Sequence, residues 1–387
     1  MARSIGKRRI GMWVPLALLA LASLTALAGE PGLQWQALPS LQMARSGHAA
    51  VRLRDGRVLV AAGTFVTSDT FNAINSAEIF DPATATWSAS ASLTGHHGSP
   101  TGTLLDSGQV LVFGGFDATA ERYDPTNNIW LPAGSPGAAR YGHVANRLVD
   151  GSVLIIGGRL PSGNSTTPDV RRYDPVTNEW APRAPMLTPR ESASSVTLLD
   201  GRVLVIGGRT DQVWLGSCEI YDPASDQWTP VASLSASRSS AAVALLSDGN
   251  VLIAGGSTGP GINLTSSAER YDPVGNAWSA AGALSQARAL PEAVMLASGR
   301  VLVAGGASAQ YTSSDRADSY DPSTNSWNVV APLLTARIGG RLNVLDDGSV
   351  LASGGSLGFG ASNPPFSNRT VERLVGDGIF VSGFDAG

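Results

Sequence analysis

Residues 268–306 read AERYDPVGNAWSAAGALSQARALPEAVMLASGRVLVAGG, and this stretch holds every landmark of a unit that recurs along the chain. In each unit a Trp is followed ten residues later by a basic residue. A Gly that follows Asp or Ser comes eleven residues after that, and another Gly ends an apolar run seven residues further on. The seven units begin at Trp35, Trp87, Trp130, Trp180, Trp228, Trp278 and Trp327.

Successive tryptophans are 43 to 52 residues apart. A unit of this size cannot bury its own faces and must stack on its neighbours, so this period is typical of the blades of a β-propeller. Each unit contains four short strand signals, including an apolar run such as Val203-Leu204-Val205-Ile206. The Asp-Gly and Ser-Gly pairs are typical of short hairpin turns. The sequence therefore predicts an all-β protein with seven four-stranded antiparallel blades.

The two ends of the repeat region indicate how the ring closes. Residues 33–38 provide a Trp strand with no blade before it, and the last unit has no Trp strand after it. In the other units an aromatic-Asp-Pro triplet stands seven residues before the next Trp, as Tyr271-Asp272-Pro273 does before Trp278. The last unit lacks this triplet and has Val371-Glu372-Arg373-Leu374 in its place. We predict that the N-terminal strand completes the C-terminal blade, since this arrangement leaves no exposed edge between the two ends.

The Gly pair after the second strand, the Glu-x-Tyr-Asp-Pro of the third strand and the Trp of the fourth resemble the kelch repeat. The resemblance spans residues 33–375; the chain is similar to the central domain of galactose oxidase and looks like a secreted bacterial member of the family. The resemblance implies a seven-bladed kelch β-propeller over residues 29–375, followed by a tail at 376–387. In the kelch adaptors that recruit acidic peptides, arginines at the basic repeat position contact the ligand.

The first 28 residues predict a secretory signal peptide and a secreted or periplasmic protein. They carry Arg3, Lys7, Arg8 and Arg9, then an apolar stretch that ends Ala26-Leu27-Ala28. Removing them leaves 23 arginines against 31 acidic residues, a net charge of about −8. This charge argues against nucleic acid as a partner. Because Cys218 is the only cysteine, an internal disulfide is excluded.

The basic repeat position and the variable connection between the second and third strands are predicted to share one rim of the ring. That rim would present a ring of cations at the mouth of the central channel, attractive to carboxylates. The candidate ligand-binding residues are Arg45, His97, Arg140, Arg190, Arg238, Arg288 and Arg337. The alternative is structural pairing with the acids of the third strands, namely Glu78, Glu121, Glu219, Glu269 and Asp318.

Aromatic and histidine side chains supply the remaining candidates. The seven repeat tryptophans are expected between the blades, since periodic aromatics in an array are usually packing residues. Trp214 lies outside this register, in a variable loop, and is a candidate ligand platform or a lid over the blade edge. His48, His96, His97 and His143 cluster in three successive units, but their spacing matches no metal motif. No metal or other cofactor is predicted.

Three function classes are compatible with this sequence. The first is a monomeric, non-catalytic module that binds a glycan or an acidic protein ligand on its loop rim. The second is a sugar-active enzyme, since kelch propellers also occur in galactose oxidase and in sialic-acid mutarotases. Copper oxidase chemistry needs a tyrosine crosslinked to cysteine, two further ligand histidines and an additional C-terminal domain, and the sequence argues against it. The third is a scaffold within a larger complex.

Overall fold

A computed structural model of the protein describes Met1 and residues 32–66, 70–261, 263–309, 312–358 and 367–376. The described chain is all-β, and its seven four-stranded antiparallel sheets form a seven-bladed propeller, which confirms the predicted fold. We number the blades in chain order, from residue 49 onward. The predicted signal segment 1–28, except Met1, and the tail 376–387, except Gly376, lie outside the described residues.

Each blade runs outward from its first strand, at the channel, to its fourth. The first strands are Ala49–Arg52, Thr101–Leu104, Val144–Arg147, Ser194–Thr197, Ala242–Leu245, Glu292–Met295 and Arg341–Val344. The second strands are Val58–Ala61, Val110–Phe113, Val153–Ile156, Val203–Ile206, Val251–Ala254, Val301–Ala304 and Val350–Ser353.

The outer half of each blade has the same regular form. The third strands are Ala77–Asp81, Ala120–Asp124, Val170–Asp174, Cys218–Asp222, Ser267–Asp272, Ala317–Asp321 and Val371–Val375. The fourth strands are Thr86–Ala89, Ile129–Pro132, Glu179–Arg183, Gln227–Val231, Ala277–Ala283, Ser326–Val330 and, for blade 7, Gln34–Leu38. Two small hairpins, Thr64–Val66 with Phe71–Ala73 and Arg159–Leu160 with Ser165–Thr166, extend the loops of blades 1 and 3.

The N-terminal strand closes the ring as predicted. Gln34–Leu38 pairs antiparallel with Val371–Val375, and Trp35 lies opposite Leu374. Each first strand contacts the first strand of the next blade around the whole circle, including blade 7 against blade 1. The third strand of blade 7 has no turn to a fourth strand after it, because that fourth strand comes from the other end of the chain. This explains why blade 7 alone lacks the aromatic-Asp-Pro turn that the other six blades have.

The second strands form the dry centre of every blade. All four residues of each second strand are buried, and most are Val, Leu or Ile. Strands covered by neighbouring blades on both faces read as continuous apolar runs because neither face meets water. Burial of this apolar surface is the main source of stability, since the chain has no internal disulfide.

The repeat tryptophans connect each blade to the preceding one. The indole Nε1 of Trp130 donates to the carbonyl of Ala91, at the end of the fourth strand of the preceding blade. Each of the other six tryptophans makes the equivalent contact with the blade before its own. In six blades the Trp ring also packs, tilted, on the aromatic ring opposite it in the third strand. Trp35 and Trp228 are buried and the other five are half-buried, because the fourth strand lies at the outer edge of the blade.

A second polar contact fixes the turn between the third and fourth strands. The hydroxyl of Tyr271 donates to the side chain of Asn276, which lies two residues before the Trp at φ 47°. Asn tolerates this left-handed backbone better than most residues. Blade 1 has Phe80 and Ala85 at these two positions, so the hydroxyl and its acceptor are lost together.

Trp35 provides a test of ring closure. Trp35→Ala should lower the free energy of unfolding by about 3–5 kcal/mol, because it empties a buried site between blades 6 and 7. Trp35→Phe, which loses chiefly the hydrogen bond to Ala331, should cost only about 1 kcal/mol. Both values come from urea denaturation, and wild-type stability in Trp35→Ala would contradict the closure.

Candidate functional site

Strand direction divides the connections of the propeller between two faces. One face carries the connections between second and third strands and those between successive blades, and we call it the loop face. The opposite face carries the short turns after the first and third strands, and we call it the turn face. Each first strand therefore begins at the loop face, just after the basic residue of its unit, and runs down the channel.

The six repeat arginines are buried and are not displayed at the channel mouth. The exposed fraction of their side chains does not exceed 3%. Arg238 shows the usual arrangement: its Nη1 donates to the carbonyls of Gly255 and Ser267, and its Nη2 lies 2.6 Å from the carboxylate of Glu269. The acid completes the contact by accepting the amide of Ser235. Each guanidinium thus ties the start of a blade to its second and third strands.

The same ion pair recurs around the ring with local changes. The pairs are Arg45–Glu78, Arg140–Asp169, Arg190–Glu219, Arg238–Glu269, Arg288–Asp318 and Arg337–Glu372. In blade 3 the third strand carries Arg171 where the other blades have an acid, and Asp169 of the preceding loop takes its place. Burial lowers the pKa of Arg45, Arg238, Arg288 and Arg337, while the paired carboxylate acts in the opposite direction.

Blade 2 replaces the guanidinium with an imidazole. His97 is fully buried; its Nδ1 lies 3.0 Å from the carbonyl of Gly114 and its Nε2 3.4 Å from Glu121. Glu121 also accepts the amides of Thr94 and Gly95. Burial raises the pKa of Glu121, but these hydrogen bonds outweigh it and lower the pKa to about 2.

The expected display of cations is therefore corrected. Arg45, His97, Arg140, Arg190, Arg238, Arg288 and Arg337 each lie inside their own blade, against a carboxylate and backbone carbonyls. A buried charge without its partner is costly, and this cost keeps each arginine inside its blade. Their assignment as ligand-binding residues stays a prediction that these contacts disfavour.

Trp214 belongs to a separate charged network in the loops of blades 3 and 4. The guanidinium of Arg209 lies 5.7 Å from the centroid of the indole and covers it. Arg209 and Arg159 both contact the buried carboxylate of Glu191, and Arg159 also contacts Asp211. Trp214 is half-buried under this network, so the lid interpretation fits its surroundings better than that of an open platform.

A cavity of about 440 Å³ occupies the channel mouth on the loop face. All seven blades contribute to its wall, at positions one to five residues after each repeat basic residue. Its polar lining includes Ser99, Thr101, Tyr141, His143, Ser192, Ser240, Glu292 and Arg341. This cavity is the candidate functional site.

A ring of left-handed residues frames this cavity. The second residue after each repeat basic residue has φ between 51° and 63°, in the order Gly47, Ser99, Gly142, Ser192, Ser240, Leu290 and Gly339. Between four neighbouring pairs the amide of one such residue donates to the carbonyl of the preceding one, as from Leu290 to Ser240 and from Gly47 to Gly339. Leu290 adopts this conformation although a leucine disfavours positive φ, and the residue is 48% exposed. A strained backbone of this kind is concentrated at functional sites.

The charges of the cavity are balanced. Glu292 and Arg341 form an ion pair across blades 6 and 7, and the Nε of Arg341 donates to the carbonyl of His48. Burial, with a contribution from Arg140, lowers the pKa of His143 to about 3, so its imidazole is neutral at physiological pH. The Nε2 of His143 lies 3.0 Å from the hydroxyl of Thr101. The mouth therefore offers hydroxyl, imidazole and paired-ion contacts without a net charge.

In the sequence, the residues that line the cavity stand out as departures from the repeat. The first position after the repeat basic residue is Ser, Gly, Ala or Ile in five units, but Tyr141 and Glu191 in the other two. The fourth position is mostly small or apolar, but holds Glu292 and Arg341 in units 6 and 7. Departures from the repeat at positions that face the channel identify the cavity better than the repeated residues do.

Comparison with known sequences identifies the family. Residues 47–256 match the family described as the KLHDC2/KLHL20/DRC7 Kelch-repeats domain, and residues 238–285 and 294–334 match the Kelch motif. The chain belongs to the kelch-repeat family. Among curated proteins, none matches the chain. The kelch fold suggests a binding or interaction role.

Two solved structures illustrate the likeness of fold. A novel fungal alcohol oxidase of the AA5 family, in complex with copper, is 17% identical with a TM-score of 0.70, over 90% of this chain and 76% of the oxidase. The structure titled YjhT is 16% identical with a TM-score of 0.59, over 76% of this chain and 99% of YjhT. At these identities the comparison shows a shared galactose-oxidase-like fold and carries no activity to this kelch protein.

The described residues of this kelch chain do not fit a copper centre. Within the described ranges no three His, Cys, Asp or Glu side chains come together to hold a metal. His48 and His143 are bonded to hydroxyls, and His97 to Glu121. Burial raises the pKa of Cys218 to about 11, and this thiol lies inside blade 4.

The described residues contain no helix long and apolar enough to span a membrane.

Arg238 tests whether a repeat arginine is structural. Arg238→Met should lower the free energy of unfolding by about 3–5 kcal/mol, because it leaves Glu269 buried without its partner. Arg238→Met with Glu269→Gln should recover part of this loss. Both are measured by chemical denaturation. A single variant with wild-type stability would instead leave Arg238 available for a ligand.

Proposed function

We propose that this kelch propeller is a non-catalytic module that binds a neutral glycan at the channel mouth. The observation that carries the proposal is the single cavity where Tyr141, a ring of hydroxyls and a balanced ion pair meet. Ligand sites commonly combine a preformed concave surface with a few convergent polar groups. The blade frame holds this cavity open, because its wall is built from strand ends of all seven blades.

The chemistry of the lining favours a sugar over other small ligands. A sugar ring presents apolar C–H faces and many hydroxyls, and these match an aromatic face beside short polar side chains. The ring of Tyr141 packs on the ring of Phe116, with centroids 5.8 Å apart. The backbone amide of Tyr141 donates to the carbonyl of Arg159, and its carbonyl accepts the amide of Arg159. Ser99, Ser192 and Ser240 are the left-handed residues that frame the cavity in three other blades. Their hydroxyls can donate or accept hydrogen bonds.

The charge balance favours a neutral ligand over the acidic peptide suggested by the family resemblance. The repeat cations are already occupied inside the blades, and the cation of the cavity, Arg341, is paired with Glu292. An anionic ligand would have to compete with this carboxylate. A neutral glycan can instead bond to the outer lone pairs and protons of the pair and keep it intact.

We further propose that the protein is exported, so that this cavity meets glycans outside the cytoplasm. The support is the basic start, the apolar stretch and the Ala26-Leu27-Ala28 ending of the first 28 residues. The exported protein should begin at Gly29. N-terminal sequencing of protein from the periplasm or medium tests this, and an intact N-terminus on a cytoplasmic protein would contradict it.

Tyr141 provides the test of glycan binding. The mature protein should bind neutral members of an array of neutral and acidic glycans, and Tyr141→Ala should weaken that binding about tenfold or more, because the stacking face is lost. Tyr141→Phe should retain most of the affinity. Affinity should not change between pH 5 and 8, since the imidazole of His143 stays neutral over that range.

A matched control comes from the loop of blade 4. Trp214→Ala should leave glycan affinity unchanged, because Trp214 lies outside the cavity. Isothermal titration gives all four affinities. Binding of acidic glycans alone, or a loss confined to Trp214→Ala, would contradict the proposed site.

A further inference from the structure

The connection between the second and third strands is shortest in blade 2. Tyr123 follows Gly115 by eight residues, whereas the corresponding distance in blade 1 is seventeen. Blades 1 and 3 carry additional hairpins in this connection, and that of blade 2 continues directly into its third strand. A chain-like ligand seated at the mouth therefore has its least obstructed exit over blade 2.

Phe116 lies in this short connection. It follows directly after the glycine that ends the second strand, and 69% of its side chain is exposed. One side of its ring packs against Tyr141, which lines the channel mouth. A lone exposed apolar side chain is common on protein surfaces, and the contact with Tyr141 is what distinguishes Phe116.

An open surface depression of about 370 Å³, which we call the second cavity, lies at Phe116. It is lined by Ala73, Thr94, Gly95, His96, Phe116, Asp117 and Ala118. His96 is exposed there, and the carboxylate of Asp117 is half-buried and accepts hydrogen bonds from Thr119. Gly98 is buried beside Phe116, and a Cβ at this position would lie in ordinary contact with Ala73 and the Phe116 ring.

We propose that the ligand is an oligosaccharide that runs from the channel mouth over Phe116 into this second cavity. The proposal rests on glycan binding at the mouth and adds the length and direction of the ligand. One sugar unit lies against Tyr141, the next stacks on Phe116, and the following unit meets His96 and Asp117. An aromatic face between two sets of hydrogen-bonding groups suits a sugar chain better than an apolar peptide, which would leave these polar groups unpaired.

The experiment compares ligand length in three proteins. The probes are β-1,4-linked oligomers of glucose and of N-acetylglucosamine, from one to six units, titrated into wild-type protein, Phe116→Ala and Phe116→Tyr. Wild-type affinity should rise about tenfold or more between one and three units, the increase expected for an added stacking contact. In Phe116→Ala this increase should be lost, so that three units bind no more tightly than one, and Phe116→Tyr should restore it.

Phe116 is mostly exposed, so its substitution should not prevent folding. The thermal unfolding of each variant protein checks this. If neither series binds at any length, the proposed glycan function fails for these sugars and this inference fails with it. If short and long oligomers bind equally, or if Phe116→Ala keeps the increase, only the extended path is wrong and the channel-mouth site stands.

Discussion

The pairing of Gln34–Leu38 with Val371–Val375 is the constraint on which the rest of the molecule depends. Seven blades can share one channel only if blade 7 is complete and packs on blade 1. Without this pairing, the third strand of blade 7 would be an open sheet edge and Leu374 would lose its partner Trp35. The channel mouth has a continuous wall because the two ends of the chain meet in one sheet. Ring closure therefore fixes both the stability of the fold and the shape of its cavity.

Inside this ring the repeated residues hold each blade together and to its neighbours. The buried arginine and its carboxylate tie the start of a blade to its second and third strands, and the Trp indole bonds to the preceding blade. Since every blade needs these contacts, they recur around the ring, with His97 in place of the arginine in blade 2. Recognition has to come from the positions where the blades differ. Those positions meet at the channel mouth, where a left-handed turn precedes each first strand and the residues in and around that turn line the cavity.

Much of the fold could be predicted from the sequence, because hydrophobic runs, turns and a fixed period report the local structure of each blade directly. Even the missing Tyr-Asp-Pro triplet of the last unit indicated closure by the N-terminal strand. The site could not be predicted in the same way. The face on which Arg45 or Arg238 lies follows from strand direction, but whether its guanidinium turns outward or back onto its own blade depends on carbonyls that only the folded blade brings together. Tyr141, Glu292 and Arg341 are distant in sequence, and the ring alone places them around one cavity.

A crystal structure of the protein with a bound neutral oligosaccharide would test most directly whether recognition lies in the residues that depart from the repeat. The account predicts electron density for a sugar between Tyr141 and the Glu292–Arg341 pair, with the repeat arginines still bonded to their carboxylates. Density on the turn face, in the loop beside Trp214, or against a repeat arginine released from its acid would contradict it.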